Sequence, residues 1–469
     1  MATDRELSVD EARVILGNMR GPQLGRSFIT SIDVRDEPGS PVTVDVRVGR
    51  RPTVGLLVAP AMQSALSLAA RTPGRRVRLV IRREPQLRVA VRTAPVPGFG
   101  WRMLGGAVQP THPVAVEETD TSAVVDNGLV RVEVVGPDLV VDGLPGFDLL
   151  VDGGDVGDTY NYSPPAEDLE VRTPVASRWE ILEPGPVRAR VAWYRTYHWP
   201  THADAATRHG SREVEVTTVV ELHADDPLVR VTTTFENSCR DHRLRAVFPV
   251  PDGPVERSEA ECAFAVVTRG LEAEGGPHER ALPTFPSRRF VRAGALTVVH
   301  EGLLEYELVH GGRALALTLL RATGMLSRVE AAYRPLPAGP PIPVAGAQML
   351  GPLTLRYAFC LDPTADPYAL VDDAFLPLRA LSSPGGGTRE PEGTALTVAG
   401  AEVSALRRVP GGLELRVFNP RPVPTDLHVP KRSGWVVDLR GRPLEPFEDS
   451  RPLRPFEICT LVLTDPNWR

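Results

Sequence analysis

Residues Gly154 to Pro165 read Gly-Asp-Val-Gly-Asp-Thr-Tyr-Asn-Tyr-Ser-Pro-Pro and gather two carboxylates (Asp155, Asp158), two tyrosines (Tyr160, Tyr162) and one amide (Asn161). A tyrosine offers an apolar ring face with a hydroxyl at its edge, and an amide carries donor and acceptor together. That combination suits a hydroxyl-rich ligand with one apolar face, such as a sugar. Glycines permit close backbone approach and the double proline stiffens the exit, so the stretch has the composition of a loop that presents polar groups. The same residue types are the commonest turn formers, and a plain surface turn is the competing reading.

Other chemistries can be weighed the same way. A retaining glycosidase needs two carboxylates about 5 Å apart and an inverting one a wider pair. Asp155 and Asp158 are close in sequence, but one short loop is a poor way to place them on opposite sides of a glycosidic bond, so a complete hydrolytic pair is not expected. No Gly-x-Ser-x-Gly elbow and no phosphate-cradling glycine loop between strand and helix occurs. His202 and Asp204, with His198, His209 and His223 nearby, could ligate a metal, but ligand types without fixed geometry are weak grounds and a solvated polar hairpin explains them as well. Asp241-His-Arg-Leu-Arg245 packs an acid, an imidazole and two guanidiniums into five residues, which reads either as a site or as a self-neutralising strand start. Arg288 and Arg289, set between prolines and aromatics, are placed for rigid bidentate recognition or for packing their stems on Phe285 and Phe290.

The elements that must hold these residues are mostly strands. Ser8 to Glu11 has capping-box spacing and predicts a helix running to about Gly21, and Ala59 to Ala70 allows a second. Alternation at Val42 to Val48, Val77 to Ile81 and Leu87 to Val91 predicts half-buried strands, followed by a turn into a strand at Val96 to Met103. From Ala123 the strand signals become dense, with turns at Asp126-Asn-Gly128 and Asp142-Gly143, then runs at Val187–Tyr197, Arg212–Leu222, Leu228–Glu236, Leu244–Val250, Leu304–Val309, Ala314–Leu320 and Leu353–Cys360. Consecutive strands without helical periodicity predict large antiparallel sheets packed face to face. Arg334 to Val344 is a proline-rich excursion, Ser382 to Thr394 reads as a linker, and strands at Ala395–Val398, Leu413–Phe418, Asp426–Val429, Gly434–Leu439 and Cys459–Leu463 end the chain. The expected organisation is a small β-domain with short helices (1–105), one large sandwich (106–381) and a linker with a C-terminal β-sandwich (382–469).

The bulk properties narrow the classes of partner. Net charge is -6 with acidic and basic residues intermixed along 469 positions, which argues against nucleic acid. No apolar run is long enough to span a membrane, and the charged opening lacks the apolar core of an export signal, so a cytoplasmic location is expected. Four dispersed cysteines, Cys239, Cys262, Cys360 and Cys459, read as isolated thiols in a reducing compartment. The 47 prolines fit many short elements joined by turns.

Eight segments occur in an order that resembles the C-terminal half of glycoside hydrolase family 38 α-mannosidases of the bacterial type. They are Val96-Pro-Gly-Phe-Gly-Trp, Val125-Asp-Asn-Gly-Leu-Val-Arg-Val-Glu, Gly154 to Pro165, Asn237 through Arg245, Pro283 to Val291, His300-Glu-Gly-Leu-Leu-Glu-Tyr306, Leu315 to Ala322 and Arg416-Val-Phe-Asn419. The resemblance implies an all-β chain built on a galactose-mutarotase-like antiparallel supersandwich flanked by smaller β-sandwich domains. It places the family's catalytic aspartate and zinc ligands in an N-terminal barrel not encoded here, so it implies no catalytic residue, metal ligand or cofactor in this chain, with zinc on a partner barrel. To this chain it carries over a pocket-wall role for Tyr160, with Asn161, Tyr162 and Asp158 beside it, and for Arg288 or Arg289. The implied partners are a carbohydrate, expected to be a mannoside, and a catalytic-barrel chain or further copies of this one. Two other readings stay open: a free-standing carbohydrate-binding protein, and an epimerase or lyase using His242, Arg243 and Tyr160.

Overall fold

The computed structural model describes residues 3–19, 23–24, 27–49, 56–83, 89–105, 108–381 and 390–464. The fold is all-β, about half strand and 8% helix. The chain divides into two compact units, Met1–Val89 and Ala90–Arg469.

In the first unit a five-stranded sheet has the order Thr3–Leu7, Val77–Arg83, Val42–Gly49, Ser27–Arg35, Gln23–Leu24. Val42, Val44, Val46 and Val48 alternate inward as their spacing requires. Val42–Gly49 and Val77–Arg83 run parallel, so their connection must cross over, and the helix Val58–Ala70 does so while burying Val58, Met62, Ala65 and Ala69. The first helix, Val9–Gly17, starts at the expected capping box, with Ser8 Oγ accepting from the Glu11 N–H and Glu11 accepting from the Ser8 N–H. It ends before the expected Gly21, and residues 20–22 lie outside the described residues. The predicted strand over 87–91 does not form in its described part: Leu87 lies outside the described residues, and Val89 and Val91 are exposed without strand pairing.

The second unit is dominated by a supersandwich. One nine-stranded antiparallel sheet runs Ala176–Pro184, Arg188–Trp199, Arg212–His223, Val229–Asn237, Gly351–Cys360, Leu296–His300, Phe290–Ala293, Ser258–Cys262, Ala265–Arg269. Two five-stranded sheets share its core. The first runs Leu149–Gly154, His242–Pro249, Ala314–Ala322, Glu305–Val309, Phe285–Pro286, and the second comprises the four-strand meander Ser122–Phe147 with Ala115–Glu118 at its edge. Phe147, Phe248, Tyr357 and Phe359 interlock between the sheets at ring spacings of 5.1 to 6.1 Å. The strand Ala176–Pro184 had no strong sequence signal because it is the half-exposed edge of the nine-stranded sheet and alternates only between partly buried and exposed residues.

Two polar networks cross this apolar interior. Asp148, fully buried, accepts from Arg195 at 2.7 Å and from the Tyr357 hydroxyl, while Arg195 also donates to Thr218 at 2.7 Å and lies 3.7 Å over the Trp193 ring. Four residues on, Asp152 accepts from Arg208 and holds His242 at 2.6 Å, and His242 reaches Asn237 at 3.1 Å. The Asp241–Arg245 cluster is therefore mainly interior structure: His242 and Arg243 are buried, and Asp241 bonds Gln348.

A separate five-stranded sheet ends the described chain in the order Glu402–Val409, Gly412–Phe418, Ile458–Thr464, Thr425–Val437, Pro443–Leu453, with its own core of Leu415, Val417, Leu427 and Leu461. The expected strands at Asp426–Val429 and Gly434–Leu439 are one long strand, Thr425–Val437, interrupted by a register shift between His428 and Ser433. The expected strand at Ala395–Val398 is irregular, whereas Glu392–Thr394 pairs with Gly100–Arg102. Residues 382–389 of the expected linker lie outside the described residues.

His300 supplies a pH test of the core. Its Nε2 lies 2.8 Å from Ser287 Oγ, which already donates to the Phe290 carbonyl, so Nε2 must be the protonated nitrogen, and Nδ1 is buried without a partner among the described residues. Burial pulls its pKa from 6.5 to about 3. Between those values the unfolded chain binds a proton that the folded protein refuses, so this group's contribution to stability is present above 6.5 and lost as the pH falls toward 3, at about 1.4 kcal/mol per pH unit. Burial beside like charges raises Glu402 to about 7, and its effect has the opposite sign between 4.5 and 7. The informative comparison is therefore between variant and parent. His300→Gln is expected to remove close to one proton of slope from denaturant-derived stability between pH 6 and 4, and parallel curves would refute the assignment.

Candidate functional site

The strand Leu149–Gly154 delivers the loop 154–165, and most of that loop's polar groups turn inward. Asp155 is fully buried and accepts from the N–H groups of Gly157 at 3.0 Å and Ser163 at 3.2 Å and from Arg321 at 2.7 Å. Asp158, equally buried, accepts from the N–H groups of Tyr160 at 3.0 Å, Asn161 at 2.9 Å and Arg328 at 2.6 Å, and from Arg334. Burial opposes ionisation of Asp158, but these N–H donors and Arg334 outweigh it and hold its carboxyl below the usual range. Gly157 is required by close approach: a Cβ there would sit 2.1 Å from the Asn161 carbonyl oxygen.

Asn161 is buried with both ends of its amide engaged, Oδ1 by Arg334 and Nδ2 on Glu279 at 2.7 Å. Tyr162 is half-buried beneath Arg243, 4.5 Å from its ring, and 6.4 Å from the Tyr333 ring, and burial raises its hydroxyl pKa so that it stays neutral. Arg243 in turn bonds Thr318 at 3.0 Å and pairs with Glu305 at 3.2 Å, while Arg245 links Glu170 and Glu307. Tyr160 differs from its neighbours: it is 53% exposed, with the Arg334 guanidinium 5.7 Å from its ring centroid. Its hydroxyl lies beside Gly339, where an added Cβ would come within 3.3 Å. The geometry thus gathers Asp158, Tyr160, Asn161 and Tyr162 and leaves the Tyr160 ring outward.

Arg288 and Arg289 occupy another neighbourhood, tied to buried Glu261 at 3.5 Å and by a double contact of 2.5 and 2.7 Å. They share no hydrogen-bond or ion-pair partner with the 154–165 loop among the described residues. The His202–Asp204 hairpin is a self-capped turn: Asp204 accepts from the N–H groups of Thr207 and Ala206 and meets His209 at 2.9 Å, contacts that hold its pKa down to about 2. Among the described residues no three His, Cys, Asp or Glu side chains converge as metal donors. Sequence reasoning missed Arg321, Arg334 and Glu279 as organisers of the loop. An arginine ending the otherwise apolar strand Ala314–Ala322 was the available signal for Arg321.

No family model matches the chain. Over 221 residues it is 24% identical to a Halalkalibacterium halodurans protein named "Putative mannosylglycerate hydrolase", a match that takes in 40% of this chain and 23% of the other. Among solved structures, an α-mannosidase from Enterococcus faecalis V583 superposes with TM-score 0.61 at 22% identity, over 99% of this chain and 54% of that one. A protein in glycosyl hydrolase family 38, also from Enterococcus faecalis, gives TM-score 0.60 at 22% identity, over 99% and 56%.

If the loop is held by buried charge, removing one partner strands the other. Asp155→Ala and Arg321→Ala are each expected to cost about 3–5 kcal/mol of folding stability, whereas Tyr160→Phe should stay within about 0.5 kcal/mol. Denaturant titration of the three variants checks this, and a negligible loss in the first two would show that the loop is held otherwise. With its β-architecture and loop in place, the chain carries the fold of roughly half of each of these two solved chains, one an α-mannosidase and the other a protein of glycosyl hydrolase family 38.

Proposed function

We propose that this chain is the non-catalytic, carbohydrate-contacting β-part of an α-mannosidase-type glycoside hydrolase. In this reading it completes a sugar pocket whose catalytic barrel, with its zinc, lies on another chain. The observation that carries the proposal is the exposed Tyr160 ring on a loop fixed by buried ion pairs. A ring held in place loses little freedom when a sugar face stacks on it. Asp158, Asn161 and Tyr162 serve by fixing its position, and Arg288 or Arg289 would act only if the pocket extends to their side of the sandwich. The neighbours in fold, an α-mannosidase and a family 38 protein, favour a mannoside as ligand. A cytoplasmic location belongs to the same proposal. Among the described residues no helix is long and apolar enough to cross a membrane.

The loop is ordered by contacts within the chain itself, and this favours one alternative, a free-standing carbohydrate-binding protein. Calorimetric titration with methyl α-mannoside, alone and with a barrel-type chain from the same source, separates the two. The first reading expects binding or aryl-mannoside turnover only in the mixture, and turnover by this chain alone would overturn it. In whichever state binds, Tyr160→Phe should weaken affinity by about 0.5–1.5 kcal/mol and Tyr160→Ala by more, since stacking is lost as well. Undiminished affinity in Tyr160→Ala would remove the loop from the site.

A further inference from the structure

A cleft of about 730 Å³ opens where helix Pro367–Phe375 and the Arg289 turn face the edge strand Glu402–Val409 and the Asn419–Arg421 corner. It is a separate neighbourhood from the Tyr160 loop, and its volume lies in the range of small-molecule sites. Its charges do not balance. Asp366 and Asp372 on the helix and Glu402 on the strand line it, with Arg289 and Arg421 as cations. Arg289 is already engaged through both Nε and Nη2 by buried Glu261, which Arg288 also approaches at 3.5 Å. With Glu261 and Arg288 counted as well, four carboxylates meet three arginines, so the cleft keeps one carboxylate in excess. Asp366 spends one acceptor capping its helix at the Tyr368 N–H, 3.2 Å away, while no hydrogen bond among the described residues reaches the carboxyls of Asp372 or Glu402.

Tyr368 is the independent second observation. It is 8% exposed, its ring is fixed edge-on against Phe290 and Phe418 at 5.2 and 6.4 Å, it lines the cleft, and its buried hydroxyl has no partner among the described residues. Glu402 and Arg289 line the same cleft as Tyr368. A buried hydroxyl without a partner is costly, and native structures seldom leave one unless something else completes it. At the mouth, Phe99 contributes a 45% exposed ring.

We propose that this cleft binds a small organic cation, a primary ammonium on a hydroxyl-bearing skeleton, with Glu402 and Asp372 accepting from the ammonium and the Tyr368 hydroxyl bonding a ligand hydroxyl. A cation relieves the repulsion among the carboxylates, and the exposed Phe99 ring adds attraction for positive charge. The groups facing Glu402 are Asp366 and Asp372 from the helix, Arg289 from its turn and Arg421 from the corner, and their sum with burial raises its carboxyl to about 7. Glu402 therefore passes from neutral to anionic as the pH rises through neutrality, and affinity for a cation should rise with it.

The test uses 1-amino-1-deoxy-D-glucitol against its neutral isostere D-glucitol, titrated calorimetrically into the full chain. The amine is expected to bind at least about tenfold more tightly than D-glucitol. Its affinity should fall severalfold between pH 8 and pH 6, where the amine itself stays protonated. Glu402→Gln and Asp372→Asn should each weaken it by about tenfold. Tyr368→Phe should weaken binding without lowering the thermal midpoint, because the buried hydroxyl it removes has no partner among the described residues. Absence of saturable binding at roughly 10 mM amine, equal binding of D-glucitol, or unchanged affinity in both Glu402→Gln and Tyr368→Phe would overturn the proposal.

Discussion

Asp148, Asp152, Asp155 and Asp158 are fully buried along one short stretch, and each is paired with an arginine from a different part of the chain: Arg195, Arg208, Arg321 and Arg334. An isolated carboxylate in that interior would be untenable, since desolvation of an unpaired charge costs several kcal/mol. The pairs therefore act as constraints. Arg195 belongs to the nine-stranded sheet, Arg208 to a small hairpin, Arg321 to the strand Ala314–Ala322 two places along the sheet from Leu149–Gly154 and Arg334 to the proline-rich excursion, so a shift of any of these segments would strand a charge. Hydrophobic burial alone is non-directional and would tolerate sliding between sheets. The four pairs fix the register of the strand Leu149–Gly154 and the path of the loop that follows it.

This arrangement explains both what could be read from sequence and what could not. Period-2 runs such as Arg212–His223 and Val229–Asn237 have one wet and one dry face, so their alternation is imposed by local chemistry and is visible locally. Their assembly into an antiparallel sandwich follows from the lack of helical periodicity between them. The edge strand Ala176–Pro184 lacks a dry face and left no such trace. For the loop, composition identified the place and misjudged the direction in which most of its groups point. Glycine, aspartate and asparagine look alike in a solvated turn and in a loop whose carboxylates meet arginines 166 to 176 residues away, and nothing local distinguishes the two. His242 and Arg243 show the same limit, a charged cluster whose members are satisfied by Asp152, Asn237 and Thr318 in the interior.

Polar burial also sorts the molecule's groups by what they can still do. Asp155, Asp158 and Asn161 have spent their hydrogen-bonding capacity inside the chain, which gives them a positional rather than a contacting role. Glu402 and the Tyr368 hydroxyl have not, although the first is partly and the second wholly withdrawn from water, and neither has the exposed Asp372. Two unlike surfaces result. One carries an exposed aromatic ring on a fixed loop, and the other carries acceptors in excess of the donors around them.

The ion pairs have a further consequence for how the loop could work. Tyr160 has no buried anchor of its own, yet the backbone on both sides of it is held by Asp158, through the Tyr160 and Asn161 N–H groups, and by Thr159, whose N–H and hydroxyl reach Met325 and Leu326. The ring's freedom is thus reduced mainly to its own side-chain torsions. Asp158 in turn depends on Arg328, just before the excursion, and on Arg334, which opens it, and the same excursion supplies Gly339 beside the Tyr160 hydroxyl. Any change that moved this excursion would therefore alter both the backbone under Tyr160 and the wall beside its hydroxyl together, so the position of the ring and the shape of its surroundings are a single coupled variable.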